Sequence, residues 1–204
     1  MHKRRQQTLS QKRPPSGHVR IISGLWRGRK LPVHDAQGLR PTTDRVKETL
    51  FNWLAQDIAR AKCLDIFAGS GGLGFECASR QAAHVTMLEL NQAAYHQLTN
   101  NIVSLQATNI TAIHTNALDY LQQAATPYDI VFIDPPFQQG LLAPVVTLLE
   151  QQGWLAAQAM IYLECEKELE LTNIPANWHL YREKTAGQVC YRLYQRQSIE
   201  QSYA

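Results

Sequence analysis

The stretch DIFAGSGGLG, Asp65 to Gly74, decides the fold. It continues an apolar run that starts at Cys63 and places Gly69, Gly71 and Gly74 in the spacing G-x-G-x-x-G. A strand that turns through such glycines into a helix brings backbone N–H groups close to a ligand. Working outward, CLDIFA, HVTMLEL, ITAIHT, YDIVFID and MIYLEC read as strands. Helices are predicted between them near 73–81, 91–105, 117–125 and 141–152. Repeated β-then-α order implies an α/β fold, a parallel sheet with helices on both faces.

That rhythm breaks towards the C-terminus. WHLYREK and QVCYRLYQR alternate and meet near Ala186-Gly187, which predicts an antiparallel hairpin at one sheet edge. The acidic stretch Glu164 to Glu170 reads as a solvated turn or helix. Tyr191 and Tyr194 fall on opposite faces of a strand, so at least one is structural. On the N-terminal side, VRIISG and RKLPV flank Leu25-Trp26-Arg27-Gly28, which predicts a small hairpin with Trp and Arg at its turn. After Pro41 come the capping candidates Thr42, Thr43 and Asp44. Val46, Leu50, Leu54 and Ile58 then recur at helical spacing as one apolar stripe. The expected organisation is a disordered basic tail at 1–17, a hairpin extension at 18–40, one main domain at 41–196 and a short tail at 197–204.

The 204 residues are 45% hydrophobic, enough for one globular core. No apolar run approaches the roughly 18 residues of a membrane span, and the charged N-terminus lacks the apolar segment of a secretory signal. Cys63, Cys77, Cys165 and Cys190 stand far apart without a C-x-x-C pair, which argues against a zinc site and a disulfide framework. Reduced, buried thiols in a cytoplasmic protein are expected. Residues 1–34 carry nine Lys and Arg and no acid, so the remaining 11 basic and 17 acidic residues balance at −6. A basic arm on an acidic body suits a partner rich in phosphate; a solvated leader has the same composition.

The glycine loop permits two cofactors. Glu89 ends the next strand 20 residues after Gly69, where a carboxylate would bind a ribose. NAD and S-adenosylmethionine both fit so far. Asp65 leans the reading towards the sulfonium cofactor. A carboxylate four residues before Gly69 would repel a pyrophosphate but could hold a methionine ammonium, directly or through water.

YDIVFID runs directly into Asp134-Pro135-Pro136-Phe137. Ligands of open α/β sheets bind at the carboxyl edge where this loop must lie. The prolines fix the loop and leave carbonyls available. An aromatic amino group is a poor nucleophile because its lone pair is delocalised into the ring. If Asp134 and the Pro135 carbonyl accept its two N–H protons, the nitrogen can pyramidalise and aim that pair at a methyl group. Positioning then supplies much of the catalysis. Asp134 can take the released proton afterwards. Phe137 offers a face for stacking, and a base inside a duplex would have to flip out first.

DIFAGSGGLG, Glu89, Asn116-Ala117 after the third strand and DPPF resemble the successive motifs of a class I methyltransferase. Together with RPTTDRVKETLFNWL at 40–54, they resemble the bacterial family that methylates N2 of a guanine in small-subunit ribosomal RNA. The resemblance runs from about Arg20 to Arg196. It implies a Rossmann-like, seven-stranded, mostly parallel sheet with a C-terminal antiparallel hairpin, and a substrate presented on an assembling small (30S) subunit; a monomer is expected. By motif, Asp65, Phe67, Gly69 and Gly71 would line the methionine part, Glu89 the ribose, and Asn116 and Ala117 the adenine, with Asp134 at the reacting end. Many methyltransferases carry Asp in place of Asn116; an amide still hydrogen-bonds adenine. Arg40, Thr42, Arg45, Pro136 and Phe137 would contact the RNA or close over the cofactor. Trp26, Arg27 and Arg29 offer stacking and phosphate contacts, although a hairpin Trp also serves packing. The histidines show no ligand spacing.

Other functions remain to be weighed. A DNA adenine or a protein glutamine would use the same chemistry, but no target-recognition domain accompanies the core. An NAD-linked oxidoreductase lacks a recognisable hydride acceptor site, and a silent RNA-binding module leaves DPPF unexplained.

Overall fold

The computed structural model describes residues 17–33 and 43–198. Seven strands form one sheet: β3 (Lys62–Asp65), β4 (His84–Glu89), β5 (Ile110–His114), β6 (Tyr128–Ile133), β7 (Leu155–Glu166), β8 (Trp178–Ala186) and β9 (Val189–Arg196). Their order is β5-β4-β3-β6-β7-β9-β8. The first five pair in parallel, and β7–β9 and β8–β9 are antiparallel. The chain starts at the centre, winds out through β4 and β5, and returns to β6 on the other side of β3. The carboxyl ends of β3 and β6 therefore flank the point where winding reverses, the place where open α/β sheets bind ligands.

Helices α1 (Asp44–Trp53), α2 (Gly72–Ser79), α3 (Gln92–Leu105), α4 (Ala117–Leu121) and α5 (Leu142–Gln151) connect and cover the strands. Two apolar clusters lie on opposite faces of the sheet, one including Phe51, Phe75, Phe132 and Tyr162, the other Ile133, Val146, Trp154 and Leu163. The parallel strands are buried on both sides, as their near-continuous apolar runs require. Tyr191 belongs to one cluster and Tyr194 to the other, so both are packing residues.

Local chemistry sets most boundaries. Thr43 caps α1 by accepting from Val46 N at 3.4 Å, and Asn91 caps α3 by accepting from Ala93 N and Ala94 N at 3.0 Å each. Helix α1 stops at Trp53, earlier than its stripe suggests. Leu54 and Ile58 are buried all the same, from a run of turns after the helix. β7 is longer than MIYLEC and reaches Glu166, so Glu164 belongs to a buried strand position and not to a solvated turn.

The N-terminal hairpin pairs β1 (Gly17–Arg20) with β2 (Lys30–Val33). It lies along α2 as part of the same core, with Val19, Ile21, Leu31 and Val33 buried. The Glu76 carboxylate, fully buried in α2, accepts from Ile22 N at 2.7 Å and Ser23 N at 3.0 Å. Arg80 closes the arrangement through Nε to Glu76 at 2.8 Å. Further down the helix, Leu25 N donates to the Ser79 carbonyl and Trp26 N to the Ser79 hydroxyl. The hairpin thus starts beside the first turn of α2, where Val19 approaches Gly72, and carries its turn to the far end of that helix.

Candidate active site

The glycine loop is held from below. Asp65, 2% exposed at the end of β3, accepts from Gly74 N at 3.1 Å. Burial pushes its carboxyl up to about 7, against the lowering effect of the Gly74 and Phe67 amides; the nearby Glu89 charge adds to the rise. The structure places Asp65 under the loop, where one carboxylate oxygen anchors Gly74 N. Gly71 caps α2 with φ +78°, and a Cβ there would meet the Phe75 ring at 2.4 Å. A Cβ on Gly74 would stand 2.4 Å from Met87 Sδ. Glycine at 71 meets a left-handed backbone and a tight contact, while glycine at 74 lets the helix close on β4.

Glu89 ends β4 and ties two elements together. Its Oε2 accepts from Gly69 N at 2.8 Å and its Oε1 from Asn91 N at 2.7 Å. Both bonds fix the carboxylate's rotation at the lip of the loop, and each oxygen retains acceptor capacity. Asn116 caps the short α4, its Oδ1 accepting from Leu118 N at 2.8 Å and Asp119 N at 3.4 Å. An Asn serves that cap as well as an Asp, which explains the residue physically. Ala117 is buried behind it and Phe67 is half-buried beside the second cluster. Leu90, 65% exposed directly after Glu89, is an apolar surface that the sequence reading passed over.

Parallel pairing brings the second motif alongside. Asp65 is in register with Phe132, and Ile66 N donates to the Phe132 carbonyl at 3.1 Å. Two residues further, β6 gives way to the DPPF loop. Asp134 is half-buried, Pro135 buried, and Pro136 and Phe137 exposed. Gln138 has φ +61°, and its N–H donates to Glu166 Oε1 at 2.7 Å. That bond ties the turn after Phe137 to the end of β7.

The structure brings Asp65, Phe67, Gly69, Gly71, Glu89, Asn116, Ala117, Asp134, Pro135, Pro136 and Phe137 to the carboxyl edge of the sheet. Arg45 is exposed in the first turn of α1. Arg40 and Thr42 lie outside the described residues. Arg27 and Arg29 are not at this edge. They belong to the hairpin turn at the far end of α2, where Arg29 reaches the Ser104 carbonyl at 3.4 Å. Glu76 and Ser79 set this turn away from the edge by laying the hairpin along α2. A groove of about 610 Å³ beside Leu25, Trp26, Leu105 and Asn109 also opens at that opposite end. Of the residues singled out in the sequence, Trp26 lines it; the glycine-loop and DPPF residues do not.

Comparison with known proteins agrees with this geometry. Residues 19–195 match the model of the family described as Conserved hypothetical protein 95. The chain is 57% identical over 189 residues to ribosomal RNA small subunit methyltransferase D of Escherichia coli, covering 93% of this chain and 96% of that one. It is 52% identical to the Haemophilus influenzae protein of the same name, covering 88% and 94%. The solved structure of yhhF from Escherichia coli superposes with a TM-score of 0.82 at 56% identity, over 89% of this chain and 99% of that chain. With a sheet order, a glycine loop and a DPPF loop arranged as above, the chain belongs to the Conserved hypothetical protein 95 family alongside the small-subunit ribosomal RNA methyltransferase D proteins, and it is a class I methyltransferase.

Proposed function

We propose that this enzyme transfers a methyl group from S-adenosylmethionine to the exocyclic N2 of a guanine in small-subunit ribosomal RNA. Its substrate is an assembling 30S particle, and it acts as a cytoplasmic monomer. The observation that carries the reading is the juxtaposition, across the β3–β6 switch point, of a glycine loop with a DPPF loop in a chain of this family.

The residues present fit the cofactor. The cradle at Gly71 and Gly74 has no room for a Cβ, and the first N–H groups of α2 open towards an anionic group. Glu89, fixed by Gly69 N and Asn91 N, is poised to accept ribose hydroxyls. Leu90 and Ala117 offer apolar contacts for an adenine ring, and Asn116 a polar group at its edge. When bound, S-adenosylmethionine supplies a methyl activated by the positive sulfur.

On the acceptor side, Asp134 and the Pro135 carbonyl take the two N2–H groups, which frees the nitrogen lone pair from the ring. Phe137, 38% exposed, stacks on the base. Pro136 and the exposed Arg45 contribute contacts at the rim, with Arg40 and Thr42 assigned to the same rim from the sequence. Charge attracts the partner more than it specifies it, because phosphate contacts position and base contacts discriminate. Ribosomal RNA is favoured over DNA or protein by the names of the Escherichia coli and Haemophilus influenzae relatives, both of which specify ribosomal RNA.

The test is transfer of labelled methyl to small subunits from cells lacking the protein, with naked ribosomal RNA, DNA and bulk protein in parallel. Mass spectrometry identifies the labelled nucleoside. N2-methylguanosine formed on ribosomal substrates is expected; label in DNA or protein would overturn the substrate.

A further inference from the structure

β7 contributes a second carboxylate to the acceptor edge. Ile133 of β6 is in register with Leu163 of β7, so the next step along both strands sets Asp134 beside Glu164. Glu164 is also directly opposite Tyr191 of β9. Alternation puts Glu164 on the same face as Tyr162, two residues before it, and Asp134 on the face of Phe132. Phe132, Tyr162 and Tyr191 all belong to the one apolar cluster that α1 and α2 cover. Both carboxylates therefore approach the same side of the sheet at the same edge.

Glu164 is only 8% exposed, and the Tyr162 hydroxyl donates to its Oε2 at 2.7 Å. Tyr162 is fully buried and rings from Phe132 and Tyr191 pack against it at 6.2 Å and 6.4 Å, so the donor cannot wander. Burial, followed by the Glu164 charge and then the Asp134 charge, raises the Tyr162 phenol well above its ordinary value. The phenol feels both carboxylates, which agrees with the register. A charged group is costly to hold at a buried strand position.

Guanine presents two kinds of donor side by side: the N1–H and the N2 amino group. Adenine presents a lone pair at N1, which a carboxylate repels. Neighbouring strands stand about 4.8 Å apart, a span over which two side chains can reach adjacent donors of one base. We propose that Glu164 selects guanine by accepting its N1–H, while Asp134 and the Pro135 carbonyl take the N2 protons. This deepens the reading of the acceptor as guanine N2 and rests on it. Glu164 moves no proton; it aligns the base, and Tyr162 fixes the rotation of its carboxylate.

2-Aminopurine separates this role from simple structural support, because it keeps the N2 amino group but carries a lone pair at N1. Small subunits are reconstituted with ribosomal RNA bearing guanine or 2-aminopurine at the mapped acceptor. Wild type should prefer guanine in kcat/KM by roughly 10- to 100-fold, the range of one good base-edge contact. Glu164→Gln, whose amide can donate to N1, should lose activity on guanine and narrow or reverse that preference. Its affinity for S-adenosylhomocysteine should stay at the wild-type value. Equal losses on both bases would overturn the role of Glu164 alone, provided wild type labels guanine N2. Label on another atom in wild type would overturn this proposal together with the reading beneath it. Should Glu164→Gln not fold, Tyr162→Phe carries the test: a severalfold fall on guanine with unchanged cofactor affinity is expected, and an unchanged kcat/KM would overturn it.

Discussion

The two loops at the switch point are built in opposite ways. On the cofactor side, backbone does the shaping. Gly69 and Asn91 N–H groups fix Glu89, the Gly74 N–H fixes Asp65, and the helix starts on a left-handed glycine. On the acceptor side, side chains do it. Asp134 and Phe137 project from the loop after β6 and Glu164 from β7, and Glu166 secures the turn. A pocket made from backbone accepts one ligand shape and tolerates little change in the residues that line it. One made from side chains can be retuned for a different base without disturbing the cofactor. This division explains how one architecture can keep its cofactor while its acceptors differ.

The largest break in that division comes from Asp134→Ala. In the proposed mechanism its contacts to the amino group strengthen as the nitrogen pyramidalises, so their loss falls on turnover. A fall of about a thousandfold or more in kcat is expected from single-turnover methyl transfer. Next is Glu89→Ala, which removes the carboxylate proposed to bind the ribose together with the tie between Gly69 and Asn91. It should raise the cofactor KM by roughly 10- to 100-fold, in line with about 1.5–3 kcal/mol for a hydrogen bond to a charged group. Turnover at saturating cofactor should fall much less.

The smallest effect concerns pH. Burial raises the Asp65 carboxyl in the folded chain from 3.8 to about 7. Between those values the folded state binds more protons than the unfolded state, so stability falls as pH rises. The favourable contribution is complete below the unfolded value and is lost as pH rises through about 7. Asp65→Asn keeps an acceptor for Gly74 N and removes the titration. Its melting temperature relative to wild type should therefore improve steadily across that window; a constant difference would show that Asp65 does not titrate there.

Local signals carried most of the fold. Each parallel strand announced itself as an apolar run, and the glycine spacing and the two prolines are short-range patterns whose chemistry is explicit in the residues. What the sequence hid depends on distant contacts. Glu164 looked like part of a solvated acidic stretch, because nothing local indicates that β7 continues through it or that β6 and β9 lie on either side. Arg27 and Arg29 read as substrate contacts, and only bonds from Ile22, Ser23 and Trp26 to Glu76 and Ser79, 53 or 54 residues away in the chain, reveal that their turn stands at the far end of α2. Leu54 and Ile58 kept the helical spacing and the burial but not the helix, since turns can present the same apolar face. Asp65 was legible as a carboxylate beside the glycine loop, and its bond from Gly74 N appears only once the loop is folded.

The division between the two loops is tested most directly by titrating S-adenosylhomocysteine into Glu89→Ala and Asp134→Ala beside wild type, in one calorimetric series. The account predicts weak binding by Glu89→Ala and wild-type affinity in Asp134→Ala, although the latter no longer transfers methyl groups. Comparable losses of affinity in both variants would contradict it, because the acceptor loop would then be part of the cofactor site.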